Sequence, residues 1–233
     1  MKAGAKKVPK WESELWGYLS SGDGMQCPTY NRCQHRLKGG WCPSDNLNRI
    51  TCLLDDRQFK ISKYSFIGRK GDAQFCGRVF RLVERLAEEY LRRAGVHCLP
   101  VPAEIVSLAD EQHPVEIRPL ALRTCHGAIW HLKDGWVIQL KASDTSRKKR
   151  FALFHEAFHI LAHRKASPVF RKRDYETGAF NELLADYFAG CILMPRKWVR
   201  EKWSEVKNLS RMAETFDVEE SLMWIRLREL GLT

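Results

Sequence analysis

The sequence predicts an α+β fold, mainly helical with a small antiparallel sheet, and three observations predict it. Apolar residues recur at three- and four-residue steps through most of the chain beyond residue 72. Between residues 127 and 141 the period falls to two, on either side of an Asp-Gly pair. The first 72 residues, by contrast, are rich in Gly, Pro, Asn, Asp and Cys and show little sustained periodicity. These shifts divide the chain into a Cys-rich segment at 1–72, a main domain at 73–195 and a helical C-terminal subdomain at 196–233.

In order along the chain, Phe75, Val79, Phe80, Val83, Leu86, Tyr90 and Leu91 form one helical stripe from Ala73 to Ala94, with Gly95 as its stop. Pro102 opens a short helix carrying Ile105, Val106 and Leu108, and an extended stretch follows through Val115, Ile117 and Leu120. Residues 127–132 and 136–141 then read as a hairpin around Lys133-Asp134-Gly135. Asp144 or Thr145 caps a helix that runs to about Arg164, with Phe151, Phe154, Ala157, Phe158 and Leu161 as its buried stripe. Another helix spans about Phe180 to Leu193 and stops before Pro195, which disfavours a helical conformation in the residue before it. From Lys197 to Leu232 the pattern gives two or three short helices with Leu209, Met212, Phe216, Val218, Leu222, Ile225 and Leu230 facing inward.

Composition narrows the function classes. A chain of 233 residues that is 44% hydrophobic has enough apolar surface for a sizeable core. Its formal charge of +11 favours an acidic partner such as nucleic acid, an anionic surface or an acidic protein, and it serves solubility equally well. No apolar run reaches the roughly 18 residues of a membrane span, and the basic first ten residues are followed by WESELWGYLSSGDG rather than by a signal-peptide core. A soluble, cytoplasmic protein without a membrane partner is expected. In that reducing compartment the eight cysteines suit metal ligation or burial better than disulfides.

The chemistry centres on His155-Glu156-Ala157-Phe158-His159, an HExxH pattern. On a helix, residues four apart are turned by only about 40° and raised by about 6 Å, so both imidazoles reach one ion. Glu156, about 100° round from His155, is placed to act on a water at that ion as a general base without ligating it. A catalytic zinc site needs a third ligand. The metzincin position six residues beyond the motif holds Lys165, which excludes that arrangement. Glu182, with Asp186 one turn later to hydrogen-bond the outer nitrogen of a ligand histidine, fits a Glu contributed by the following helix. His163 lies on the same face, too far along the helix for the same ion. His126, His131, Tyr175 and Tyr187 are candidate donors to an oxyanion, and spacing selects none of them.

RFALFHEAFHILAHR followed by NELLADYFAGCILMP resembles the ImmA/IrrE metallopeptidases, and the likeness covers about Phe75 to Thr233, ending in RLRELGL. It implies a zincin-like metallopeptidase domain with His155, His159 and Glu182 as Zn2+ ligands, Glu156 as catalytic base and Asp186 supporting a ligand. It also implies a helix-turn-helix transcriptional repressor as protein substrate, cut to release genes of mobile elements or stress responses. The chain departs from the family in carrying Ala157-Phe158 where Leu-Gly is frequent, and the bulkier Phe158 is expected to narrow the site.

Cys27, Cys33, Cys42 and Cys52 fall in a span too poor in apolar residues to build its own core, where a bound metal supplies folding energy. A second Zn2+ is the first expectation there and an iron–sulfur cluster the second. The competing function is a non-proteolytic regulator that binds a repressor or nucleic acid through the same fold, its zinc purely structural. Retention of Glu156, which a structural site does not need, favours the enzyme.

Overall fold

The computed structural model describes residues 8–20, 70–123, 125–165 and 175–233; the four N-terminal cysteines lie outside them. The elements are α1 (Lys10–Ser20), α2 (Lys70–Arg93), a 3-10 helix (Ala103–Ala109), β1 (Val115–Leu120), β2 (Gly127–Leu132), β3 (Gly135–Lys141), α3 (Ser146–Lys165), α4 (Tyr175–Leu193), α5 (Arg196–Val206), α6 (Leu209–Phe216) and α7 (Glu220–Glu229). The protein is α+β and mainly helical, as its periodicity predicts.

The stripe read from the sequence is the face of α2 that is buried: Val79, Val83, Leu86, Tyr90 and Leu91 all join the core. Gly95 ends the helix at φ +65°, with Val96 N donating to Leu91 O at 3.1 Å and Gly95 N to Arg92 O at 3.2 Å. That paired closure needs a left-handed residue, which only glycine supplies without strain. Tyr90 Oη donates to Ile105 O at 2.7 Å and so fastens the 3-10 helix to α2.

The hairpin pairs as expected, with Ile129 opposite Ile138 and Leu132 opposite Gly135, antiparallel. The third strand corrects the expectation of a purely antiparallel sheet: β1 lies on the far side of β3 and runs parallel to it, Ile117 opposite Ile138. Leu120 ends β1 beside Lys141 and Gly127 begins β2 beside Leu140, so the two outer strands meet the same end of β3 from opposite sides and a short link joins them. Two strand spacings, roughly 10 Å, are within reach of a link that short. Trp136, Ile138 and Leu140 of the central strand are buried.

Helix α3 packs on the sheet through β2 and β3 and on α4 at its other flank. Its cap is Thr145, whose Oγ1 accepts from Lys148 N at 3.1 Å; Asp144 instead takes Nδ1 of His126 at 2.6 Å. Phe154, Ala157, Phe158 and Leu161 are buried, and Phe158 meets Phe188 of α4 with ring centres 5.4 Å apart. Helix α4 begins at Tyr175, earlier than its apolar pattern suggests, and ends before Pro195 as predicted.

Three helices follow Pro195, and their apolar residues join the same core cluster as α1 to α4. Their largest buried side chain is not one of the expected hydrophobes but Arg226, 2% exposed. It donates to Glu84 Oε1 at 2.6 Å, to Met194 O at 3.1 Å and to Glu229 Oε2 at 3.1 Å, while Arg196 Nε donates to Glu84 Oε2 at 3.1 Å. This network joins α2, the end of α4, α5 and α7. Among the described residues no helix is long and apolar enough to cross a membrane.

Candidate metal centre

Helical geometry stacks His155 and His159 on one face of α3, and their ring centres stand 4.9 Å apart. Opposite them, α4 presents Glu182. The two Nε2 atoms are 3.1 Å apart, His155 Nε2 is 3.1 Å from Glu182 Oε2, and His159 Nε2 is 3.4 Å from Glu182 Oε1. Among the described residues these three form the one group of three or more His, Cys, Asp or Glu whose ligand atoms all lie within 4.8 Å of one another.

These spacings test the metal expectation directly. A tetrahedral ion with bonds of about 2.0–2.1 Å has ligand atoms roughly 3.3–3.4 Å apart along each edge. The observed 3.1, 3.1 and 3.4 Å, the last two to different oxygens of Glu182, lie near that edge length, and the donor set of two nitrogens and a carboxylate fits a zinc-sized ion. Two imidazole nitrogens aimed at each other at that distance need a shared cation or proton between them.

Asp186, one turn beyond Glu182 on α4, brings Oδ1 within 2.7 Å of His155 Nδ1. A carboxylate there fixes the ring orientation and leaves Nε2 aimed at the centre. Burial alone favours the neutral ring, but its hydrogen bonds to Asp186 and Glu182 and the charges of Asp186 and Glu156 hold the His155 pKa well above its usual value. His159, buried and beside a charged His155, is pushed down to about 4. Glu156 is 7% exposed, and burial, reinforced by Glu182 and Asp186, lifts its carboxyl to about 7.

Glu156 turns toward the sheet rather than toward α4. A Cβ placed on Gly127, the first residue of β2, would stand 2.7 Å from Glu156 Oε1 and 3.2 Å from its Cγ. Gly127 therefore gives the carboxylate its space. Sequence reasoning missed this residue, because a glycine at a strand start reads as punctuation and only its approach to α3 reveals the role.

The remaining candidates separate. His126 is tied to Asp144 near the start of α3. Tyr187 faces α2, its ring 4.7 Å from Phe80. Phe158 is fully buried against Phe188, so its bulk fills the core instead of narrowing the site. His131 and His163 meet each other and Trp136, away from the first group. The side chain of Tyr175 lies outside the described part of the structure, as do Cys27, Cys33, Cys42 and Cys52.

Comparison with known proteins places this geometry in context. The profile of a peptidase family, described as the IrrE N-terminal-like domain, matches residues 110–228, just over half of the chain. The match takes in the sheet, α3, α4 and nearly all of the C-terminal helices. No curated protein matches the chain. Among solved structures, a Mycobacterium tuberculosis transcriptional regulator is similar at 16% identity with a TM-score of 0.48, over 62% of this chain and 46% of that one. The similarity thus spans less than half of that regulator's length.

Proposed function

Because the chain belongs to the IrrE N-terminal-like domain family, we propose that it is a zinc-dependent endopeptidase with a helix-turn-helix transcriptional repressor as its substrate. The observation that carries this reading is the convergence of His155, His159 and Glu182 to within 4.8 Å beside a buried Glu156. The repressor as substrate class follows from the ImmA/IrrE resemblance and from fold-level analogy.

His155, His159 and Glu182 hold the ion, and Asp186 orients His155 from behind. Zinc, when bound there, supplies a Lewis acid for the scissile carbonyl and acidifies the attacking water. Glu156 accepts the proton of that water as the oxygen attacks the carbonyl carbon. It then delivers the same proton to the leaving amine as the C–N bond breaks, which restores its carboxylate. No side chain bonds covalently to the substrate, and Gly127 keeps the Glu156 carboxylate clear for both transfers.

The test incubates the zinc-loaded full chain with a helix-turn-helix repressor encoded beside it and reads new termini by mass spectrometry. Cleavage by the parent and none by a zinc-retaining Glu156→Gln variant is the expected result. Equal cleavage by both removes Glu156 from the mechanism, and binding of the repressor without new termini favours the non-proteolytic regulator.

A further inference from the structure

Most large apolar side chains are buried, and of the five that stand exposed among the described residues four lie on the sheet: Ile117, Leu120, Trp130 and Leu132. Single exposed hydrophobes are ordinary, but Trp130 and Leu132 are 55% and 51% exposed two positions apart on one strand. Side chains two apart share a face. His131 and Trp136 meet His163 of α3, so the residues that alternate with them turn the other way. Trp130 and Leu132 therefore stand on the outer face of the sheet, where Trp130 is opposite Val137.

The same strand offers an unpaired backbone. Among the described residues β2 is an outer strand, paired with β3 alone. Lys141 N donates to His126 O at 2.9 Å, and bonded pairs alternate along an antiparallel ladder, so residues 128, 130 and 132 complete the pairing with β3. Gly127, Ile129 and His131 then direct their N–H and C=O groups away from the sheet. This free edge begins beside the metal centre, because Gly127 is the residue whose added Cβ would stand 2.7 Å from Glu156 Oε1. An apolar face and a free edge thus run together from the general base to Leu132.

We propose that β2 takes the substrate backbone as an added antiparallel strand and that Trp130, continued by Leu132, selects apolar side chains upstream of the cut bond. The proposal rests on the peptidase reading of the metal centre. An extended chain is the occupant that fits, since its groups repeat every second residue as those of Gly127, Ile129 and His131 do. Antiparallel pairing is the more stable sense. With the reacting bond at Glu156, the segment lying along Ile129 to Leu132 is the one N-terminal to that bond. Residues directly opposite share a face, so the substrate residue opposite Trp130 packs on the exposed indole and the one two places earlier packs on Leu132. Counted from the residue at Gly127, these are the third and fifth upstream. Because the segment must be extended, a linker or chain end of a helical protein is cut rather than the body of a helix.

The test digests a pool of random synthetic peptides, each about twelve residues long, with the zinc-loaded full chain and reads the products by mass spectrometry. Apolar residues are expected to be enriched about tenfold at the third or fourth residue before the cut bond, the contribution of one buried side chain. Trp130→Ser should lose that enrichment and raise KM about tenfold for the best peptide, with a much smaller change in kcat. In that peptide, N-methylation of the residue opposite Ile129 should weaken binding to the parent at least tenfold, whereas N-methylation of the residue opposite Trp130, whose N–H points away from β2, should leave it within about twofold. Cutting without preference at these positions, the same preference in Trp130→Ser, or equal effects of the two methyl groups overturns the proposal and leaves the peptidase reading intact. The methyl comparison uses the parent, so it decides even if the variant fails to fold. If no peptide is cut, the peptidase reading fails; the same enrichment is then sought among peptides retained by the zinc-loaded chain, and its absence overturns the strand-addition proposal as well.

Discussion

Oδ1 of Asp186 and Nδ1 of His155 lie 2.7 Å apart, and both residues are buried, so α4 fixes the ring that α3 offers. Asp186→Ala removes this hold without touching a ligand atom. A fall in zinc affinity of about 10- to 100-fold is expected, read by competition with a chromophoric chelator. Unchanged affinity would show that packing alone orients His155.

Glu182 and Glu156 are both carboxylates beside His155, yet they point to different partners. Glu182 approaches both Nε2 atoms, whereas Glu156 lies against Gly127. Glu182→Ala is therefore expected to lose the zinc equivalent together with cleavage. Glu156→Gln should lose cleavage alone. Metal analysis of the two purified variants separates the roles, and equal zinc loss in both would remove the distinction.

Gly127→Ala puts a methyl carbon where the structure leaves 2.7 Å to Glu156 Oε1. The carboxylate must move away, while His155, His159 and Glu182 on α3 and α4 stay in place. A displacement of about 1 Å in a reacting group costs roughly 100-fold in rate. The expected result is such a loss in kcat with the zinc content of the parent. Parent-like turnover would mean that Glu156 accommodates the methyl group without leaving its working position.

The sequence makes some of these relationships legible and hides others for physical reasons. HExxH and the Glu182–Asp186 pair are local: helical rotation alone puts each pair on one face, so their convergence follows once two helices pack. The direction of β1 is not local. Alternation tells which face a residue takes, but not whether its neighbour runs parallel or antiparallel, and that choice shows only in how β1 and β2 pair with β3. Gly127 and Arg226 were hidden differently. One matters through the side chain it lacks, and the other is a charge in a position where base composition argues for the surface. Burial of Arg226 makes sense only once Glu84, 142 residues away, is seen beside it.

That pairing carries a pH signature. Burial opposes ionisation of Glu84, but its hydrogen bonds and charge pairing with Arg196 and Arg226 outweigh this and hold its pKa below the ordinary 4.5. Glu229, Tyr187 and Cys191 also surround Arg226. A carboxyl depressed in the folded state stabilises it above the unfolded pKa, and this contribution is lost as the pH falls through the lower, native value. Glu84→Gln is expected to cost about 3–5 kcal/mol at pH 7, because it removes the charge that Arg196 and Arg226 share and leaves Arg226 only Glu229. The gap to the parent in urea unfolding should shrink as the pH drops below about 4.5. A gap that stays constant with pH would show that the charge of Glu84 contributes nothing.

The reach of Arg226 also sets a schedule for biosynthesis. Chains emerge from the ribosome N-terminus first. Glu84 and the carbonyl of Met194, at the end of the helix bearing Glu182 and Asp186, must wait for a guanidinium that is translated last among these parts. A nascent chain can thus hold both halves of HExxH and both acidic residues of α4 while still lacking the clamp that seats α4. The side chains that converge on His155 are thus all synthesised before the residue that fastens the end of their second helix to α2.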